Sequence, residues 1–155
     1  MAQKETYITK DGVKKLEAEL EHLRTSRRHV IAERIQVSHD IGGTVDNAEY
    51  EEAKNEQSFV EGRIQTIESL LVSAVLIPEE HDAGKVSLGT TVTLKNEKGQ
   101  EVIYTLVGST EADPLNGRIS NESPVGKGLM DHKVGDVIEV PAPGGKVTLT
   151  VKLIV

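Results

Sequence analysis

Six carboxylates crowd a short stretch in the first half of the chain. Asp40, Asp46, Glu49, Glu51, Glu52 and Glu56 are opposed by one basic side chain, Lys54, so residues 39–56 carry a net charge of −5. Oxygen donors at that density suit a hard cation such as Mg²⁺, which commonly takes one or two protein carboxylates and completes its shell with water or phosphate. The same residues fit a solvated helix start, since acids are favoured near a helix N-terminus and Asp46 can N-cap a helix with Glu49 at its third position. A second group, Arg24, Arg27, Arg28 and Arg34, recurs at near-helical spacing. It suits phosphate contact or pairing with Glu52, Glu56 or Glu61 on a neighbouring helix. The histidines lack metal-ligand spacing, and no phosphate loop, nucleophile elbow or zinc signature is present. With no cysteine there is no thiol nucleophile either, so self-contained catalysis is not expected.

The elements that must carry these groups are legible in the apolar spacing. Thr9 is a candidate N-cap, followed by Val13, Leu16, Leu20 and Leu23 in steps of three and four. Val60, Ile64, Ile67, Leu71 and Ala74 repeat the pattern. Pairing 13 with 74, 16 with 71, 20 with 67 and 23 with 64 folds the chain back near residue 43, where Gly42 and Gly43 supply a turn. Each arm would be about 30 residues, or on the order of 45 Å, long enough to project its acidic end into solvent. The stripe degrades toward the turn. Arg27 and Arg34 occupy positions that want apolar side chains, and Val30, Ile31 and Ile35 take over.

Beyond residue 80 the composition changes. All 5 prolines lie at Pro78 or later and 10 of the 14 glycines at Gly84 or later, which punctuates a small β-rich domain. Strands are expected at 91–95, 102–107, 118–121, 137–140 and 146–155, with Ser123-Pro124 opening a short helix. In the last strand Val147, Leu149, Val151, Leu153 and Val155 are expected to share the buried face. The expected fold is α+β: an N-terminal antiparallel coiled-coil hairpin over 1–78, a linker over 79–84, and a curved antiparallel β domain with one short helix over 85–155. The 155 residues carry 18 basic and 25 acidic side chains, a balance that argues against gripping duplex DNA by charge. No apolar run approaches the roughly 20 residues a membrane span needs, and residues 1–15 lack a signal-peptide core, so a cytoplasmic protein is expected.

Several of these residues also resemble a known family. Asn47-Ala48-Glu49-Tyr50-Glu51-Glu52-Ala53-Lys54, with Glu56-Gln57 and Glu61-Gly62-Arg63-Ile64, is similar to the second-helix signature of the bacterial Gre transcript-cleavage factors. Ile8-Thr9, Gly12 and Leu16 to Leu20 resemble their first-helix start. Ser123-Pro124, Gly128-Leu129, Gly135-Asp136 and Pro143-Gly144-Gly145 resemble their C-terminal domain. The mild charge and modest basic patch look more like the GreA than the GreB branch.

The resemblance implies an FKBP-like C-terminal domain that binds bacterial RNA polymerase, with Ser123, Pro124, Gly128 and Leu129 as contact residues. It implies a coiled coil threaded into the secondary channel until its tip meets the active centre. There the tip helps hold a Mg²⁺ of the polymerase, which cleaves its own backtracked RNA. The factor would have no cofactor of its own, no bound metal when isolated and no enzymatic activity, and would be a monomer. Asp46 becomes the tip carboxylate, with Asp40 as a weaker candidate. Gly42, Gly43, Asn47, Glu49 and Tyr50 support the tip, and Arg24, Arg27, Arg28 and Arg34 contact the RNA 3′ end. One departure stands out: the family tip reads Gly-Asp-Leu-x-Glu-Asn, whereas this chain reads Gly42-Gly43-Thr44-Val45-Asp46-Asn47. Glycine replaces the first acid and aspartate the second. A channel-occupying regulator with weak or no cleavage stimulation is therefore the competing expectation. A prolyl isomerase is disfavoured because Tyr104 is the one aromatic residue beyond position 80. A coiled-coil holdase would show no polymerase binding.

Overall fold

Both arms of the expected hairpin form, but they differ in how they keep their phase. The computed structural model describes residues 4–42 and 47–155. These divide into two compact units, Val13–Ser73 and Met1–Gly12 with Ala74–Val155. The first arm runs through α1 (Lys10–His22), a π-helical segment (Leu23–Arg27) and α2 (Arg28–Gly42), and the second is α3 (Ala48–Val72). In the helical unit Leu20, Ile31, Val60, Ile64 and Ile67 form the core, flanked by Leu16, Leu23, Ile35 and Leu71. Three of the mirrored pairs (16 with 71, 20 with 67, 23 with 64) thus fall within one core. The fourth does not hold, because Ala74 has already left the helix for a strand.

The π segment explains why the apolar stripe drifts. Its signature is the Arg28 N–H donating to the Leu23 carbonyl, five residues back instead of four. One extra residue is thereby absorbed, and every later side chain turns on by one position relative to a seven-residue repeat. Ile31 and Ser38 are buried and Ile35 packs on the core, while Val30 and Val37 are exposed. Ser38 tolerates burial because its hydroxyl donates to the Arg34 carbonyl at 2.7 Å.

The second unit differs from the expected boundary. β1 (Thr6–Ile8) and β2 (Ala74–Leu76) pair in parallel, Thr6 opposite Ala74, so residues 4–12 and 74–78 fold with the C-terminal part rather than with the helices. Gly108 makes the close approach possible: a Cβ there would sit 1.6 Å from the Tyr7 carbonyl oxygen. Thr9 caps α1, its Oγ1 accepting from Gly12 N–H at 3.1 Å. The Glu111 carboxylate holds that cap in turn. It accepts from Thr9 N–H at 2.7 Å and from the Thr9 hydroxyl, and lies 3.3 Å from Arg118 Nη2.

The larger sheet comprises β3 (Thr91–Asn96), β4 (Glu101–Val107), β5 (Arg118–Ser120), β6 (Val137–Ala142) and β7 (Gly145–Ile154), in the order β5-β4-β3-β7-β6. It is not wholly antiparallel, since β4 and β5 run parallel. The β3–β4 turn has Gly99 at φ 80°, in the left-handed region glycine favours. The expected alternation of β7 fails at its end. Thr93 pairs with Leu153 but Leu94 pairs with Val151, a bulge at Lys152 that reverses the faces. Ile154 is buried, while Leu153 and Val155 are exposed. The short helix α4 (Pro124–Leu129) packs Leu129 into the core with Val92, Leu94, Leu106 and Val151.

The phase shift makes neighbouring residues opposite in consequence. Ile31→Ala should destabilise the helical unit by about 2–4 kcal/mol, and Val30→Ala should stay within about 0.5 kcal/mol, read from denaturant unfolding followed by far-UV circular dichroism.

Candidate functional site

The stretch with the highest acid density lies where α2 gives way to α3. Gly43 and Asp46, with the intervening Thr44 and Val45, lie outside the described residues. Their neighbours are defined. The N-cap of α3 is Asn47 rather than Asp46: its Oδ1 accepts from the Tyr50 N–H at 3.2 Å. An amide suits this position because its other end can donate, and Asn47 Nδ2 bonds the Ser38 carbonyl of α2. One side chain therefore caps α3 and ties it to α2. Tyr50 adds a ring contact to His39, with centroids 5.9 Å apart. Asp40 is exposed, its Oδ1 3.8 Å from His39 Nδ1. Glu49, Glu51 and Glu52 are exposed in the first turns of α3, where the helix dipole favours carboxylates. Among the described residues no group of three or more His, Asp or Glu side chains is arranged to hold a metal.

The four candidate RNA-contact arginines all pair with glutamates of α3. Arg24 meets Glu68, and Arg28 binds Glu61 through two bonds of 2.7 Å. Arg27 and Arg34 grip the two oxygens of one carboxylate, Glu56. Arg63 and Glu19 make a fifth pair in the reverse sense, at 2.7 and 2.9 Å. Glu52, weighed as a partner from sequence, has no ion pair among the described residues. Glu56 and Glu61 are partners the sequence offered, but the sharing of Glu56 by two arginines and the Arg63–Glu19 pair were not singled out. The usable signal for both was the opposite charge at matching places on the two arms.

In the C-terminal unit Ser123 Oγ accepts from Gly126 N–H at 3.0 Å and donates to the Ser120 carbonyl at 2.6 Å, with Pro124 opening α4. Pro124 is exposed, but Leu129 is fully buried and a Cβ on Gly128 would meet Val140 at 3.1 Å. Leu129 therefore cannot meet a partner directly, contrary to its expected contact role. It anchors the loop that presents Ser123 and Pro124, and Gly128 gives that loop room.

One compact unit is an antiparallel pair of long helical arms and the other holds a five-stranded sheet with a Ser-Pro helix start. Residues 6–76 match the family model described as transcription elongation factor, N-terminal, and residues 80–155 match that for transcription elongation factor, GreA/GreB, C-terminal. The chain belongs to the GreA/GreB family of transcription elongation factors. It is similar to transcription elongation factor GreA of Thermoanaerobacter pseudethanolicus, 49% identical over 150 residues with 96% of each chain covered. The corresponding protein of Clostridium perfringens is 50% identical over 147 residues, covering 94% of this chain and 93% of that one. A solved structure, GreA factor homolog 1 of Thermus thermophilus, is 33% identical with 98% and 99% coverage and a TM-score of 0.45. The two family models meet between residues 76 and 80, whereas the compact units part at residues 12 and 73. No described helix is long and apolar enough to cross a membrane.

The interhelical pairs set an acid limit. The Arg63 guanidinium, by hydrogen bonding, holds the Glu19 carboxyl below its ordinary 4.5, and Arg28 does the same to Glu61. Protonation is thus disfavoured in the folded state. The pairs' contribution is complete above 4.5 and is lost as pH falls through the depressed values. The melting temperature of the helical transition should be flat from neutral pH to about 5 and fall below it, and Glu19→Gln combined with Glu61→Gln should flatten that fall.

Proposed function

We propose that this chain is an elongation factor that docks on bacterial RNA polymerase and brings the turn end of its helical hairpin to the polymerase active centre through the secondary channel. There it stimulates the polymerase's own cleavage of a backtracked transcript. The reading rests on membership of the GreA/GreB family over both halves, joined to a net charge of −5 across residues 39–56. The factor is not itself a nuclease, and the Mg²⁺ involved belongs to the polymerase. When bound, such ions stabilise the attacking and leaving oxygens of phosphodiester hydrolysis. Asp46 is the donor this chain offers to that ion, with the exposed Asp40 as an auxiliary carboxylate. Asn47, next to Asp46 in the sequence, caps α3 and ties it to α2. His39 and Tyr50 brace the same end.

Ser123 and Pro124 are the proposed contacts with polymerase, held by the buried Leu129. Arg24, Arg27, Arg28 and Arg34 reach the RNA 3′ end only by exchanging a glutamate for a phosphate, a trade between comparable charge-assisted bonds. The protein acts as a monomer in the cytoplasm. Gly43 supports a second reading, in which the factor occupies the channel and regulates without cleavage, because glycine offers no oxygen where the family tip has its first acid.

Stalled, backtracked complexes separate the two. The cleavage reading expects wild-type stimulation that falls to the intrinsic polymerase rate with Asp46→Ala and rises on the order of tenfold or more with Gly43→Asp. Stimulation absent from wild type, with loss of activity when the factor competes against an active GreA, would establish the regulatory reading. Failure to bind polymerase would end both.

A further inference from the structure

The π segment exposes two valines that an unbroken repeat would bury. Continuing the spacing of Leu16, Leu20 and Leu23 leads to positions 30 and 37, yet Ile31 and Ser38 are buried in their place. Val30 and Val37 are instead 43% and 55% exposed and lie seven residues apart on one face. A groove of about 330 Å³ is lined by Val30 and Val37, by Ser38 and Asn47, and by the carboxylate-bearing Glu33 and Glu49. Arg34 also borders the groove, but its guanidinium is committed to Glu56. Glu33 has His29 at 3.3 Å, a partner that is charged only when protonated, and Glu49 has no cationic partner among the described residues. The groove lining therefore offers two carboxylates, while its arginine is already paired.

We propose that this groove is a docking site for a segment of RNA polymerase that presents an aliphatic side chain beside a lysine or arginine. The proposal rests on the polymerase reading given above. Charge selects the occupant. A nucleic acid would set phosphate against Glu33 and Glu49, and a second copy packed face to face would set those carboxylates against their counterparts. A basic, apolar protein segment satisfies both the valines and the two carboxylates. The groove also borders the α2–α3 end that carries Asp40, so an element of the polymerase that meets that end lies within reach of it. The surplus residue of the first arm thus gives this end of the rod an adhesive side.

The test uses the full chain and purified core polymerase. Val30→Ser with Val37→Ser should leave the helical circular dichroism and melting temperature close to wild type, because both side chains are already exposed. It should raise the Kd for polymerase about tenfold. Glu33→Lys should also weaken binding and reduce its salt dependence. A photoreactive residue placed by Val37→benzoylphenylalanine should crosslink to a polymerase segment in which Lys or Arg adjoins an aliphatic residue. Unchanged Kd values for these variants, with wild type binding normally, overturn the groove proposal and leave the polymerase reading intact. A crosslink to a second copy of the chain also overturns it. If wild type does not bind polymerase at all, both fall together.

Discussion

Between Leu23 and Ile31 the first arm takes eight residues where a seven-residue repeat allows seven, and the helix must absorb the surplus before the two arms can pack. It does so in one place, by a backbone bond from Arg28 to Leu23. Ile31 and Ile35 then reach the core that Val60, Ile64 and Ile67 supply from α3. A strictly α-helical arm would direct Arg34 toward that seam, and burying an unpaired guanidinium is far costlier than one irregular turn. The π segment is thus the condition on which the distal half of the hairpin is built.

The surface chemistry follows from that phase. Arg27 and Arg34 flank the seam instead of entering it, and both arrive at Glu56. With Arg24–Glu68, Arg28–Glu61 and Arg63–Glu19 they lace the arms together along much of their shared length. Individually such exposed pairs contribute little, but a set of opposed pairs disfavours slippage by bringing like charges together in a wrong register. The arginines are consumed along the arms, while Glu49, Glu51 and Glu52 in the first turns of α3 have no ion pair among the described residues. The turn end is therefore the electrostatically distinctive part of the helical unit, and Asn47 ties together the two helices that bracket it.

Much of this was legible in the chain. The mirrored stripes gave the hairpin, Thr9 its first cap, Ser123-Pro124 the short helix, and the proline and glycine distribution the β-rich half. What escaped were features set by one residue too many. The stripe's decay at Arg27 was visible, but which of Val30 and Ile31 faces inward depends on backbone bonding that apolar counting does not capture. The bulge at Lys152 inverted the end of the last strand for the same reason. The β1–β2 pairing joins segments of three residues about seventy positions apart, too short to carry a periodic signal. Asn47 displaced Asp46 as the cap because it also had a carbonyl on α2 to satisfy. The Leu129 contact role failed through burial, since a motif residue can be retained for packing alone.

The central proposal is that the acidic α2–α3 end of the helical unit reaches the polymerase active centre. The absence of cysteine allows a direct test, because Asp40→Cys creates a unique site for an iron chelate that releases hydroxyl radicals. In backtracked complexes the account predicts transcript scission confined to the displaced RNA 3′ end and abolished by excess unlabelled factor. Radical cuts spread along upstream RNA, or found only on the polymerase exterior, would contradict it.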